Sequence, residues 1–423
     1  MTPSFRLLGK RRFLPLFATQ FLGAFNDHLF RTAMVMLVTF RIYSDPRAEA
    51  SFSAIAAGLF ILPFFLLSAP SGELADGTDK ARIIRIVKTA EILIMAVGAA
   101  GLLLAQVPLL LAALFAMGIH STFFGPIKYA ILPQHLHDDE VLGGTGLVEG
   151  GTYCAILLGT IVGGIVSAEA AAALVVGVAV LGRIAGQAVP PAPAQGPAPR
   201  PDRNVIRSSI ALVRDTMHIR HLFLAIAAIS FFWAMGAILA ALFPPLVKNV
   251  LDGDQDVATL FLAVFSVGVA IGSVLVNRLL KGTVQARFAP TAAILMGLFV
   301  LLLYWTARRW PTTGGDVMGL AAFLVQPLAP WVLVALLGVA VAGGMFVVPL
   351  YAFLTTSVPK TQTARTVAAN NIVNSGAMVA ATGSLGALFH FGVGVATALL
   401  AVAVASVGAA WLGWRLHKAC DPA

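Results

Sequence analysis

Apolar stretches long enough to cross a bilayer recur along this chain from end to end, and they decide what it can fold into. Twelve can be placed, at about 13–40, 52–70, 83–105, 108–132, 143–167 and 170–189, then at about 221–247, 257–280, 288–306, 329–354, 365–389 and 391–414. A helix rises about 1.5 Å per residue, so some 20 residues cross a hydrocarbon core of roughly 30 Å. The chain is 59% hydrophobic and 11% charged, where a soluble domain has about a quarter of its residues charged. The expected fold is therefore all-α and integral to the membrane, with twelve transmembrane helices. The first stretch is too long for the apolar region of a signal peptide and lacks a small-residue cleavage site, so it is expected to stay in the mature protein. Cys154 and Cys420 support neither a disulfide framework nor a zinc site. No nucleotide-binding loop or nucleophilic triad is evident, so no catalytic residue, cofactor or metal is expected.

Between the sixth and seventh stretches lies VPPAPAQGPAPRPDR (189–203), too rich in proline for a membrane helix and expected to be extended. It suggests an N-terminal six-helix bundle over 1–188, a cytoplasmic linker over 189–220 and a C-terminal six-helix bundle over 221–423. With both termini placed inside, the inner side holds 22 Lys and Arg and the outer side 5, Arg31 lying within the first helix. That asymmetry sets the orientation. It also accounts for the net charge of +9, because the positive charge faces the leaflet where anionic lipids lie, and no nucleic-acid partner is needed.

An internal repeat supports the six-plus-six division. PIKYAIL (126–132) closes the fourth stretch and PLYAFL (349–354) the tenth, so Tyr129, Ala130 and Leu132 recur as Tyr351, Ala352 and Leu354. In the helix after each, LVEGG (147–151) has its counterpart in IVNSG (372–376), which pairs Glu149 with Asn374. Parallel six-helix repeats are the pattern of the major facilitator architecture, in which substrate binds near the membrane midplane between the halves.

The polar residues inside the stretches are the candidates for chemistry. In QFLGAFNDHLFR (20–31), Asp27 sits near the middle of the first helix, where an ionised carboxylate costs several kcal/mol unless it faces protein or water. Arg31 follows at i+4, within pairing reach. Two readings stand: a structural ion pair, or part of a charged substrate path. Gln20, Gly23 and Asp27 make one stripe of this helix small and polar, flanked by Asn26 and His28. Glu149 lies in a run with Gly143, Gly144, Gly146, Gly150 and Gly151, which permits close helix approach and leaves room for a ligand. Asn370, Asn371 and Asn374 are headgroup contacts or packing glue. Lys128 either meets a phosphate or snorkels to the interface. Glu91 reads as a local partner of Lys88 near the inner end of the third helix, and His120 as a satisfied core or interfacial histidine. Pro63, Pro126, Pro133, Pro244, Pro245 and Pro349 are expected to break helix regularity at or near helix ends.

GELADGTDKAR (72–82) resembles the loop pattern of the major facilitator superfamily, G-x-L-A-D-x-x-x-[KR]-x-[RK]. Gly72 is expected to let the loop leave its helix tightly, and Asp76 to meet the positive N-terminal end of a neighbouring helix. Lys80 and Arg82 are expected to face the cytoplasm. The resemblance implies that Asp76 and Arg82 stabilise one side of an alternating-access cycle. The second-half copy, SVLVNRLLKG (273–282), is degenerate, with Asn277 in place of the acid.

QFLGAFNDHLF (20–30), STFFGPIKYAILPQHL (121–136), LVEGGTYCAILLGTIVGG (147–164) and ARTVAANNIVN (364–374) together resemble the lysophospholipid transporter family. The likeness is to the transporter half of its fusions with an acyl-carrier-protein synthetase and 2-acylglycerophosphoethanolamine acyltransferase. It implies import of lysophospholipid from the outer to the inner leaflet of a bacterial inner membrane, for reacylation inside. That family usually carries Asn where this chain has His28. No His-x4-Asp acyltransferase box occurs, so a separate cytoplasmic acyltransferase or acyl-carrier-protein synthetase is an expected partner of a monomeric transporter. Two other readings remain, a proton-coupled exporter of amphipathic molecules and the membrane domain of a split enzyme complex without transport of its own. For a lysophospholipid, the amine would meet Asp27 or Glu149 and the phosphate Arg31 or Lys128.

Overall fold

The computed structural model describes residues 4–42, 46–195, 204–311 and 317–420. Among them are twelve long helices: α1 (Leu14–Leu37), α2 (Pro46–Gly77), α3 (Lys80–Leu103), α4 (Val107–Ala130), α6 (Asp138–Ile165), α7 (Ala168–Gln187), α9 (Arg220–Val250), α10 (Gln255–Leu279), α11 (Ala289–Arg308), α13 (Ala329–Thr356), α14 (Thr363–His390) and α15 (Val395–Cys420). Three short helices, α5 (Leu132–His135), α8 (Val205–Met217) and α12 (Leu320–Leu324), complete the set. Eleven of the long helices are long and apolar enough to cross a membrane. The twelfth, α1, carries the polar set Gln20, Asn26, Asp27, His28 and Arg31 and runs on into a wider turn over Val38–Ile42.

Local chemistry explains where several helices begin. Asp79 starts α3 by accepting the Ala81 N–H at 2.8 Å, Ser167 starts α7 through the Ala170 N–H, and Asp254 starts α10 through the N–H groups of Asp256 and Val257. Each is an oxygen-bearing cap for N–H groups that have no partner inside the helix. Glu140, in the first turn of α6, accepts the His137 N–H at 3.1 Å and is held by Lys10 at 2.7 Å and Arg12 at 2.6 Å.

Of the prolines expected to break helix regularity, Pro133 stands in the first turn of α5 and the others lie within helices. Pro63 and Pro70 lie inside α2, Pro126 inside α4, Pro244 and Pro245 inside α9, and Pro349 inside α13. Membrane helices tolerate this because neighbouring groups re-satisfy the freed carbonyls. One consequence is that α2 continues to Gly77 through the segment expected to be a loop, which shrinks to Thr78 and Asp79.

The chain divides into two compact units, Met1–Thr216 with Leu354–Ile372, and Met217–Phe353 with Val373–Ala423. In the first, α1 packs on α6, α7 and α3, and α4 on α2 and α3. Its core joins Leu29, Phe30, Met34, Met95, Leu114, Met117 and Val175. A Cβ on Gly163 would sit 2.6 Å from the Leu29 carbonyl oxygen, so α6 approaches α1 as closely as only glycine allows. In the second unit α15 packs on α11 and α9, around Phe243, Phe261, Trp310 and Phe323.

The expected linker over 189–220 has three parts. Residues 196–203 lie outside the described set. Residues 204–217 are largely helical, as α8, whose Ser209 hydroxyl donates to the Phe65 carbonyl at 3.3 Å. Val189–Gln195 is non-helical and lies on the α2–α3 turn. Lys80 N–H donates to Ala192 O at 3.0 Å, Gln195 N–H to Asp76 O at 3.1 Å, and Ala192 N–H to the Asp79 carboxylate at 3.1 Å.

Candidate functional site

The polar stripe of α1 splits between two neighbours. Asp27 accepts a hydrogen bond from Ser121 Oγ of α4 at 2.9 Å through Oδ2. Its second oxygen, Oδ1, is buried without a hydrogen-bond partner among the described residues. The expected Asp27–Arg31 ion pair does not form among the described residues. Arg31 is exposed and its guanidinium lies 5.8 Å from the centre of the Phe60 ring. Spacing at i+4 brings two Cβ atoms together, but here Ser121 on the facing helix lies closer to the carboxylate than the arginine tip. Asn26 turns to the other side, donating to Glu91 Oε1 at 3.0 Å and to the Val175 carbonyl at 3.1 Å. Gln20 is buried and accepts from Thr152 Oγ1 of α6 at 2.9 Å. His28 faces α6, with Nδ1 3.5 Å from Thr160 Oγ1.

Glu149 is fully buried on α6 and accepts a hydrogen bond from the Tyr129 hydroxyl of α4. Lys128 is half-buried, its ammonium 4.8 Å from the centre of the Tyr129 ring and within electrostatic reach of both Glu149 and Asp27. The glycines around Glu149 leave less room than expected: a Cβ on Gly151 would meet the Phe17 ring at 2.6 Å, so that space holds an aromatic side chain rather than a ligand. Asn371 Nδ2 lies 3.2 Å from where a Gly125 Cβ would stand on α4, and Asn370 is fully buried. The first unit thus brings Gln20, Asp27, Arg31, Lys128, Glu149 and Asn371 onto α1, α4, α6 and the start of α14.

Asn374 belongs to the second unit. Ser230 Oγ donates to its Oδ1 at 2.7 Å, its Nδ2 donates to the Tyr351 hydroxyl at 3.4 Å, and Trp233 Nε1 donates to the same hydroxyl at 2.8 Å. The two residue pairs matched by the internal repeat therefore touch within each unit: Tyr129 with Glu149, and Tyr351 with Asn374. The repeat conserves a contact as well as a sequence resemblance, with a carboxylate in the first copy and a neutral amide in the second.

The loop residues also find definite places. The Asp76 carboxylate accepts the N–H groups of Ala364 at 2.9 Å and Arg365 at 3.0 Å, with Arg365 Nε at 3.4 Å, so it caps the first turn of α14. Gly72 does not serve a loop exit. It lies inside α2, where a Cβ would come within 2.9 Å of Arg365 Cα, so its lack of a side chain lets α14 pack there. Lys80 does not face the cytoplasm. It is fully buried, because the Val189–Gln195 segment lies across the start of α3. Arg82 is exposed.

Sequence reasoning missed how deep one cluster lies. Lys88, Glu91 and His120 are all buried. Lys88 Nζ lies 2.6 Å and His120 Nε2 3.2 Å from Glu91 Oε2. The i,i+3 pair is as expected, but Glu91 is eleven residues into α3, about 16 Å along it, so it is not an interfacial group. Counting from the start of the helix rather than from the nearest loop would have placed it.

Eleven described helices long and apolar enough to cross a membrane, with equivalent polar contacts inside the two units and a carboxylate within α1, define a multi-pass membrane protein. The Major Facilitator Superfamily profile matches residues 16–382, and the chain belongs to that superfamily. It is accordingly a transporter and not an enzyme. Among relatives, the chain is 26% identical over 358 residues to the lysophospholipid transporter LplT of Yersinia pestis (strain Pestoides F), covering 81% of this chain and 78% of that protein. The LplT of Yersinia pseudotuberculosis serotype IB (strain PB1/+) gives the same figures. Among solved structures, the human organic anion transporter MFSD10 superposes with a TM-score of 0.77 at 15% identity, over 98% of this chain and 100% of that one. FucP in the outward conformation gives 0.71 at 13%, over 96% and 98%. At such identities these two likenesses concern the fold alone.

Proposed function

We propose that this transporter carries lysophospholipids from the outer to the inner leaflet of a bacterial inner membrane, as a flippase whose cargo is reacylated inside by a separate acyltransferase. The supporting observation is the free oxygen of Asp27: a carboxylate inside a membrane helix, held by Ser121 through one oxygen and unpaired at the other. An intramembrane ionisable group of this kind is by default a functional site, and the headgroup ammonium is the complement of that oxygen. Arg31, exposed one turn along the same helix, and Lys128 on α4 supply cations for the phosphodiester. Glu149, held by Tyr129 through one oxygen and likewise without a hydrogen bond at the other, lies beside Lys128 and offers a second acceptor for the ammonium. Similarity to proteins named lysophospholipid transporters over 81% of the chain supports the same cargo. The excess of Lys and Arg on one side supports cytoplasmic termini.

The test is leaflet-resolved uptake of labelled lysophosphatidylethanolamine into proteoliposomes, with and without a proton gradient. Wild type moves the lipid without a gradient, and Asp27→Ala loses that movement while remaining inserted. Full transport by Asp27→Ala would remove Asp27 from the site. Strict dependence on the gradient, with export of amphipathic molecules, would replace this function by that of a proton-coupled exporter.

A further inference from the structure

The first unit buries a charged cluster that the headgroup site does not use directly. Both oxygens of Glu91 are occupied: Oε2 by Lys88 at 2.6 Å and His120 at 3.2 Å, Oε1 by Asn26 at 3.0 Å. Space is kept for the Lys88 ammonium, since a Cβ on Gly23 would stand 2.6 Å from Nζ, and the Phe124 ring lies 5.1 Å away. On α7, Gly182 and Gly186 line the Lys88 methylenes and Val175 supplies a carbonyl to Asn26. A buried ion pair is weak evidence for stability, because desolvation cancels much of its attraction.

The cluster is tied to the headgroup carboxylate at two points. Asn26, which holds Glu91, immediately precedes Asp27. His120, beside Glu91, immediately precedes Ser121, which donates to Asp27. Asp27 is in electrostatic contact with His120, Glu91 and Lys88, and Lys128 and Arg31 face it from α4 and from its own helix.

We infer that the Lys88–Glu91 pair sets the headgroup-charge preference of the Asp27 site. This rests on the lysophospholipid function proposed above. Glu91 is a positioning residue: it neutralises Lys88, so Asp27 presents its negative charge to an ammonium-bearing headgroup uncancelled. Counting Asp27, Lys88 and Glu91, the net charge there is −1. Glu91→Gln keeps an oxygen for Asn26 but unmasks Lys88, bringing the net charge to zero. Lys88→Gln unmasks Glu91 and brings it to −2.

The experiment compares uptake of lysophosphatidylethanolamine, which carries an ammonium, with that of lysophosphatidylglycerol, which does not. It uses full-length wild type, E91Q, K88Q and the K88Q/E91Q double variant in proteoliposomes, with thermal unfolding in detergent as the check on folding. The ethanolamine-to-glycerol uptake ratio falls about tenfold in E91Q, the order that one unit charge produces in a partly screened interior. It rises in K88Q and returns to within about twofold of wild type in the double variant, where the charges again balance. Each single variant decides alone, because the two move the ratio in opposite directions. An unchanged ratio, with both lipids losing uptake together, overturns the inference and leaves the cluster a structural one. Failure of wild type to move either lipid overturns the lysophospholipid function and this inference with it, a result that the unchanged ratio does not resemble.

Discussion

Asp76 joins α2 to the first turn of α14 through hydrogen bonds that no other side chain supplies among the described residues, so its removal should be felt as lost cohesion of the first unit. The carboxylate accepts two backbone N–H groups, from Ala364 at 2.9 Å and Arg365 at 3.0 Å, and is itself buried. Replacing a capping oxygen by Ala costs about 0.5–2 kcal/mol, and losing a negative charge at a helix N-terminus about 0.3–1 kcal/mol more. Asp76→Ala should therefore destabilise the protein by about 2 kcal/mol. At about 2–4 °C per kcal/mol for a unit of this size, the midpoint falls by roughly 4–8 °C. Asp76→Asn loses the charge and one of the two acceptor oxygens, since Ala364 N–H and Arg365 N–H bond to different oxygens, but keeps the other, so its midpoint should fall by less than that of Asp76→Ala. The assay is thermal unfolding in detergent, followed by far-ultraviolet circular dichroism, because all six tryptophans lie in the second unit. Equal midpoints for Asp76→Ala and Asp76→Asn would refute the capping argument, since the two differ chiefly in whether one oxygen remains to receive an N–H group.

Three further outcomes follow from the same contacts. Tyr129→Phe removes the donor to a buried carboxylate and should cost about 1.5–3 kcal/mol, whereas Tyr351→Phe removes bonds between neutral groups and should cost about 0.5–1.5 kcal/mol; adding Glu149→Gln to the first should recover part of its loss, read by thermal midpoints. Gly163→Ala drives a methyl group towards the Leu29 carbonyl and should destabilise by about 1–3 kcal/mol, while Gly177→Ala, where a Cβ meets nothing within 4 Å, should be neutral or slightly stabilising. His135, in the short helix α5, has its pKa held below the usual histidine value, chiefly by burial. Its folded pKa lies below its unfolded one, so its contribution is complete above the unfolded value of about 6.5 and is lost as pH falls below that. His135→Gln should therefore flatten the decline in midpoint between about pH 7 and pH 5, and an identical decline in wild type and variant would count against it.

Features that depend on residues near one another in the chain were readable, because helix length and cap chemistry are local. The apolar spans appear as twelve long helices among the described residues, and the Asp76 carboxylate meets a helix N-terminus as its charge implies. The repeat was readable too, since it compares the chain with itself; its matched residues then proved to touch, Tyr129 with Glu149 and Tyr351 with Asn374. Features set by a distant helix were not readable. Spacing alone assigns Arg31 to Asp27, yet the carboxylate is taken by Ser121, 94 positions away. Lys80 looks like a solvated loop cation until Ala192 is laid across it.

Depth misled in the same way. Lys88 was counted with the inner-side cations because it is near the loop in sequence, but the helix winds it inward to Glu91 and His120, where it has no part in setting orientation. Removing it leaves the inner side with 21 cations against 5, so the topology argument loses nothing. What changes is the chemistry. The Lys88 charge lies buried in the first unit against Glu91, which His120 also meets, and the proposed role of the pair in headgroup preference depends on that depth.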